Sequence, residues 1–274
     1  MEKLKRQIET LPYDDNKRED IFACERFLSE NYKVHSHNFF EIEFLIEGSG
    51  LQIINEKEYP WVPGTICFFS PTDFHEIIVK SPLRYYNISF DFEFVSKETI
   101  AQMMDIGENT FYSTDIEMEH FEKIASMLSD ATKFPLIFNT EYMVSLLNSF
   151  LIRLKQMSNH VSDLNIQLPT IKQAVLFMHA NFNNKISLAD IAKSVHLSPA
   201  YFSELFREKN GITVSQYLLE LRIDYAKKLL DSTNDSITDI CFACGFTSLS
   251  NFMKNFKKIT NTSPLKYRKR GKEQ

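Results

Sequence analysis

Phosphate-binding loops are missing from this 274-residue chain, and glycine itself is scarce, with seven in all. Neither a Walker-type nor a dinucleotide-binding fingerprint occurs, which ranks nucleotide hydrolysis low. No Ser/His/Asp arrangement stands in a nucleophile context, which does the same for acyl transfer. No apolar run approaches the roughly 18 to 20 residues that span a bilayer, so no membrane partner is expected. Met1 to Asp20 is charged and has no apolar core of the secretory kind, so a cytoplasmic location is expected. There are four cysteines, and only Cys241 and Cys244 are close, as a lone C-x-x-C inside a helical pattern. A structural zinc site needs two more ligands at suitable spacing, and none lie nearby. These cysteines read as small, soft packing residues.

The charge balance is uneven along the chain. Residues 1–164 hold 15 Lys/Arg against 27 Asp/Glu, a net of −12, and residues 165–274 hold 16 against 9, a net of +7. An acidic half joined to a basic half confines polyanion contact to the basic one.

That basic half reads one design twice. Ile191-Ala192-Lys193-Ser194-Val195-His196-Leu197-Ser198 is followed by Tyr201-Phe202-Ser203-Glu204-Leu205-Phe206-Arg207. Ile240-Cys241-Phe242-Ala243-Cys244-Gly245-Phe246-Thr247 is followed by Asn251-Phe252-Met253-Lys254-Asn255-Phe256-Lys257. The first blocks align at an offset of 49 and the second at 50, so the copy carries one extra turn residue. A short helix, a tight turn and an amphipathic helix ending in a cation is the helix-turn-helix pattern. Ser187 predicts one N-cap, with Asp190 as its first-turn anion. Ser198 caps the next helix with Pro199 at its first position, and Gly211 suits a left-handed helix end. A helix from Thr213 to about Asp231, roughly 28 Å at 1.5 Å per residue, spaces the two units. Phe202, Phe206, Phe252 and Phe256 face inward as core.

This region, roughly residues 170–270, resembles the AraC/XylS family of bacterial transcription regulators. Ile191-Ala192, Leu197-Ser198, Phe202, Phe206-Arg207 and Gly211 carry the resemblance in the first unit. Ile240, Gly245-Phe246, Phe252, Phe256-Lys257 and Ser263-Pro264-Leu265-Lys266-Tyr267-Arg268-Lys269 carry it in the second. It implies that both recognition helices enter consecutive major grooves of promoter DNA. Ala200, Ser203, Glu204 and Arg207 then meet one groove, and Leu249, Ser250 and Lys254 the next. Lys254 is suited to guanine, Glu204 to cytosine and Asn251 to adenine. Arg207, Lys257 and Lys258 are suited to phosphates, adding affinity and salt dependence.

Residues 20 to about 94 read as many short strands. Phe39–Ile46, Leu51–Ile54, Thr65–Phe69, Phe74–Lys80 and Tyr85–Phe92 are separated by turns at Gly48-Ser49-Gly50, Asn55-Glu56-Lys57, Trp61-Val62-Pro63-Gly64 and Ser70-Pro71-Thr72-Asp73. That pattern predicts a sandwich or barrel. Within it, His35-Ser36-His37, Glu41, Gly48 and His75 resemble the cupin superfamily, although the glycine expected before the first histidine is absent. Regulators of the AraC type commonly carry such a barrel for a small effector such as a sugar. Three readings stay open for His35, His37, Glu41 and His75. They hold a divalent transition metal, they anchor an organic effector, or they bond the backbone at the barrel mouth. Trp61, Tyr86 and Phe90 are candidate pocket walls, or simply core.

Residues 115–158 read as helical, with Met143, Leu147, Phe150, Leu154 and Met157 in a heptad-like stripe. The stripe serves either a dimer contact or a cover for the barrel. The expected fold is multi-domain: an N-terminal cupin-like β-barrel plus helices, and a C-terminal all-α tandem helix-turn-helix domain. Its parts are an N-terminal arm (1–19), an effector-binding barrel (20–114), a helical dimerisation or support segment (115–158), a linker (159–169) and a DNA-binding domain (170–274). The expected function is an effector-responsive DNA-binding regulator with no catalytic residues. It would act as a homodimer, and would meet RNA polymerase if it activates. The alternatives are a metal-dependent cupin enzyme tethered to DNA, and an effector-independent regulator.

Overall fold

In the computed structural model, residues 7–9, 21–105, 109–134, 137–157 and 170–272 are described. They fall into two units divided ahead of Thr170. The linker expected at 159–169 lies outside the described residues, as does the N-terminal arm apart from residues 7–9.

The first unit contains β1 (Gln7–Glu9), β2 (Ile21–Leu28), β3 (Tyr32–His37), β4 (Phe40–Ile54), β5 (Lys57–Trp61), β6 (Thr65–Phe69), β7 (His75–Phe90), α1 (Lys97–Asp105), β8 (Thr110–Tyr112), α2 (Asp115–Lys133) and α3 (Asn139–Met157). The sheet runs β1-β3-β7-β4-β6-β8, with β2 also on β7 and β5 also on β4. All of these pairings are antiparallel except β1 with β3.

Two strands are longer than the turn signals predict. Gly48-Ser49-Gly50 does not end a strand; it bends β4, with register shifts between Leu45 and Gly50. Gly48 sits at φ +93°, and a Cβ there would lie 2.1 Å from the Pro82 carbonyl oxygen. A β-bulge uses glycine for the same reasons a turn does, so the sequence signal is shared. The segments expected at Phe74–Lys80 and Tyr85–Phe92 likewise join into β7.

The first half of β4 is buried on both faces. Alternation sends its even residues outward and its odd ones inward. Outward, Phe44 meets Phe121 of α2 and Phe150 of α3 at ring separations of 6.1 and 6.5 Å. Phe121 and Phe150 lie 4.6 Å apart. Met143, Leu147, Phe150 and Leu154 are all buried in this layer. The stripe expected to serve a partner helix or the barrel therefore covers the barrel, within its own chain.

The second unit is helical: α4 (Thr170–Asn181), α5 (Leu188–Ser194), α6 (Pro199–Asn210), α7 (Val214–Ser232), α8 (Ile237–Ala243), α9 (Leu249–Thr260) and α10 (Pro264–Lys272). Serine or threonine caps open α5 through α9, at Ser187, Ser198, Thr213, Ser236 and Ser248. Each is worth about 1 kcal/mol to its helix. The caps repeat the offsets of the sequence, Ser187 with Ser236 and Ser198 with Ser248. Between α5 and α6 the left-handed turn residue is His196 (φ 57°), and between α8 and α9 it is Gly245 (φ 78°). Cys241 and Cys244 are buried free thiols packed with Ile240, Phe246, Phe252 and Phe256.

The α7 helix serves both halves. Its N-terminal Tyr217 packs on Phe206 of α6 at 5.6 Å. Its C-terminal Ile223, Ala226 and Leu230 join the core of α8 and α9. The connection after α4 ties these halves together. Arg222 of α7 donates from Nε to the Phe182 carbonyl at 2.8 Å and from Nη2 to the Asn184 carbonyl at 3.1 Å. A Cβ at Gly245 would lie 2.6 Å from that same Phe182 oxygen. Among the described residues, no helix is long and apolar enough to cross a membrane. Gly245→Ala is expected to destabilise the second unit by about 1–3 kcal/mol through backbone strain and this close approach. An unchanged thermal midpoint for that unit in calorimetry would contradict the packing described.

Candidate functional site

The inward residues of the barrel are unusually polar. Glu41 faces in from β4, His35 and His37 from β3, and His75 opens β7; all four are buried. His37 Nδ1 donates to the Phe39 carbonyl at 2.9 Å, and Nε2 lies 3.0 Å from Glu41 Oε2. Nδ1 can only donate to that carbonyl, and a second hydrogen on Nε2 would make His37 an imidazolium facing a carboxylate. His75 Nε2 approaches the same Glu41 oxygen at 3.3 Å as an ion-pair neighbour, but neither His75 nitrogen makes an aimed hydrogen bond. Asn87 Nδ2 donates to the other Glu41 oxygen at 2.6 Å.

Electrostatics follow from this layout. Burial opposes the Glu41 charge, but His37 and His75 outweigh it and hold the carboxyl well below its usual value. Burial likewise opposes charge on His37, and Glu41 overrides it, raising the imidazole. Burial dominates at His75 and pushes it down to about 4. At Glu43, burial and then the nearby Glu41 charge raise the carboxyl well above its usual value. Gln52 Nε2 donates to Glu43 Oε2.

The cavity at this cluster is lined by Arg26, Tyr32, His35, His37, Phe39, Glu41, Glu43, Ile77, Tyr85 and Asn87, and its free space is about 10 Å³. That is room for about one water-sized body. Beside it, Gln52 Oε1, Asn87 Oδ1 and Ser89 Oγ are buried without hydrogen-bond partners. A buried unsatisfied polar atom costs about 1–3 kcal/mol.

The six expected effector contacts divide here. His35, His37, Glu41 and His75 come together. Trp61 does not line the cavity; it is fully buried in a core with Leu45, Ile54, Cys67 and Phe69, edge-on to Tyr85 at 5.1 Å. Tyr86 lies on the outer face, where Ser126 of α2 is its hydrogen-bond partner. The inward aromatic is its neighbour Tyr85. Phe90 also faces outward, stacked on Phe40 at 5.4 Å. Sequence reasoning missed Arg26, Glu43, Gln52, Tyr85 and Asn87. The signal for Glu43 was present, since Glu41 facing inward places the residue two further on beside it. Glu41 pairs with Ser89, and Glu43 with Asn87, so the register selects the odd residues of β7.

The residues also fit a small divalent ion in kind and number. His35, Glu41 and His75 offer ligand atoms within 4.8 Å of one another, and the partnerless His75 nitrogens suit that role. The expected fourth ligand, His37, is spent on Phe39 and Glu41, so it orients the carboxylate.

In the second unit, Ala200, Glu204 and Arg207 are exposed on α6 and Ser203 is half-buried. Leu249, Ser250, Asn251, Lys254, Lys257 and Lys258 are exposed on α9. Phe202, Phe206, Phe252 and Phe256 are buried. Asn251 lies to one side, lining a cleft of about 430 Å³ with Leu188, Leu218 and Asn255. Its Oδ1 accepts from Asn255 Nδ2 at 2.7 Å, a bond that bidentate pairing with adenine would have to break.

Comparisons with known proteins match parts of both units. A family described as a helix-turn-helix domain matches residues 191–270, and an AraC-like ligand binding domain matches residues 25–103. The chain is 25% identical over 248 residues to the Msm operon regulatory protein of Streptococcus mutans, covering 88% of this chain and 85% of that one. It is 23% identical over 271 residues to the HTH-type transcriptional activator RhaR of Mannheimia succiniciproducens, covering 96% and 97%. An apo form of ToxT from Vibrio cholerae aligns over 92% of this chain and 98% of that chain, at 13% identity and a TM-score of 0.48.

The pH response of the first unit follows from His75. Its folded value is about 4 against an ordinary 6.5. As pH falls from about 6.5 to about 4, the unfolded chain gains a proton that the folded one refuses. Stability should therefore decline by up to about 1.4 kcal/mol per pH unit. His75→Leu should remove that slope in urea titrations across the window. An identical slope in both proteins would contradict the assignment.

Proposed function

The chain belongs to the AraC/XylS family of bacterial transcriptional regulators, and from that premise we propose that its barrel binds a small effector which governs how α6 and α9 engage promoter DNA. The observation that carries the effector reading is the row of buried, partnerless polar atoms at Gln52, Asn87 and Ser89 beside Glu41 and Glu43. Hydroxyl groups of a sugar or related metabolite would supply those partners, with the cavity opening to admit them. The effector shifts the population between arrangements that suit and do not suit the operator.

On the DNA side, Ala200, Ser203, Glu204, Leu249, Ser250 and Lys254 read bases, and Arg207, Lys257 and Lys258 hold phosphates. Asn251 contributes only if its bond to Asn255 gives way. The protein works in the cytoplasm as a homodimer, and it meets RNA polymerase where it activates. Its dimer contact lies elsewhere than the buried Met143–Leu154 stripe. In this reading it is a regulator without turnover.

The ligand-binding domain invites a direct screen. A sugar or small acid held at 100 times its dissociation constant should stabilise the first unit by roughly 2.7 kcal/mol. No shift with any sugar, small acid or divalent metal would favour a regulator that needs no effector.

A second reading rests on the His75 nitrogens. Here His35, Glu41 and His75 hold a divalent transition metal, which would neutralise the buried carboxylate and fix the barrel. Metal analysis of purified protein decides between the readings. Stoichiometric metal lost in His75→Ala would favour this one, and metal-dependent turnover of a substrate would favour an enzyme.

For the DNA contacts, Lys254→Ala should weaken operator binding by about 1–3 kcal/mol and relax preference at one base. Lys257→Ala should weaken all sequences alike and reduce the salt slope by about 0.9. If both changes merely scale affinity, the division between reader and anchor is wrong.

A further inference from the structure

The two recognition helices differ in charge where they are otherwise copies. The exposed stripe of α9 carries Lys254, Lys257 and Lys258, and the helix has no acidic residue. The exposed stripe of α6 carries Glu204, Arg207 and Glu208. Glu204 and Glu208 stand four residues apart, so they are neighbours on one face. Among the described residues neither is held in an ion pair. Arg207 and Lys209 bring α6 to zero net charge, whereas α9 stands at +3.

Facing a duplex, these stripes behave oppositely. Each lysine of α9 that meets a phosphate releases a counterion and binds any sequence. Each glutamate of α6 is repelled by phosphates. Only a base edge offering a donor, cytosine N4 or adenine N6, compensates it. We propose that the two units have unequal duties: the second, which reads bases through Lys254, supplies most of the sequence-independent electrostatic hold, and the first is a conditional reader that Glu204 and Glu208 hold off non-matching DNA. Glu208 thereby becomes a specificity-determining residue that acts by repulsion, in the way interfaces reject wrong partners. The proposal rests on the reading of α6 and α9 as recognition helices.

The test uses the full chain and two probes, a random-sequence 30-base-pair duplex and a randomised duplex library. The double variant E204Q/E208Q should bind the random duplex about three- to tenfold more tightly at low salt, with the gain fading as salt screens it. Sequences it selects from the library should lose information in one half-site only. The triple variant K254Q/K257Q/K258Q should weaken random-duplex binding and flatten its log–log salt slope by about 2–3. These side chains are exposed, so circular dichroism should show all variants folded. Wild-type enrichment of two half-sites upholds the recognition-helix reading, and the variants then decide the proposal. Unchanged random-duplex affinity in E204Q/E208Q, or equal loss of information in both half-sites, would overturn it. Failure of the wild type to enrich any sequence would overturn both.

Discussion

The carbonyl of Phe182 is where the two copies of the helix-turn-helix are locked together. Arg222, from the middle of the shared α7 helix, donates to it at 2.8 Å. Gly245, from the turn of the second unit, comes so close that a side chain there would lie 2.6 Å from the oxygen. A helix alone would fix only a length. These contacts also fix the turn of one unit against the connection leading into the other, and so the angle between α6 and α9. Reading two successive grooves requires both quantities, since a helix rotated out of phase meets backbone instead of base edges. His196 occupies the matching turn in the first unit, also left-handed at φ 57°, with its side chain exposed.

The barrel applies a similar economy to one strand. Alternation along β4 gives the helices an aromatic face at Phe44 and gives the interior a polar one at Glu41 and Glu43. The outer face secures the fold, since Phe44, Phe121 and Phe150 form one packed group with α2 and α3. The inner face is free to be costly. The buried carboxylate of Glu41 is satisfied by His37 and Asn87, with His75 beside it, but the surrounding polar atoms are not satisfied. Such a half-satisfied network is unfavourable by itself, and a buried water or a bound ligand can complete it.

Much of this was legible in the residues. Serine caps, a proline at the first helical position and phenylalanines at helical spacing marked α5, α6, α8 and α9, because these signals are local. The histidine and Glu41 cluster was legible through spacing on adjacent strands. What escaped depends on phase and partner. Tyr86 and Tyr85 are adjacent in sequence but lie on opposite faces, and only the register of β7 against β4 tells which one faces the cavity. The Gly48-Ser49-Gly50 signal fits a bulge as well as a turn. Met143, Leu147, Phe150 and Leu154 of the stripe are buried and Met157 is half-buried, yet nothing in a heptad spacing says whether the partner is another subunit or the chain's own sheet. Asn251 is exposed as expected, but Asn255 four residues on engages its side chain.

The most direct test of the account is a hydroxyl-radical footprint of the full chain on a duplex that it has enriched from a random pool. Two protected segments on one face of the helix, about 10 base pairs from centre to centre, are the predicted result. A single protected segment, or two segments on opposite faces, would contradict the claim that α7 and the Phe182 contacts present α6 and α9 together to neighbouring grooves.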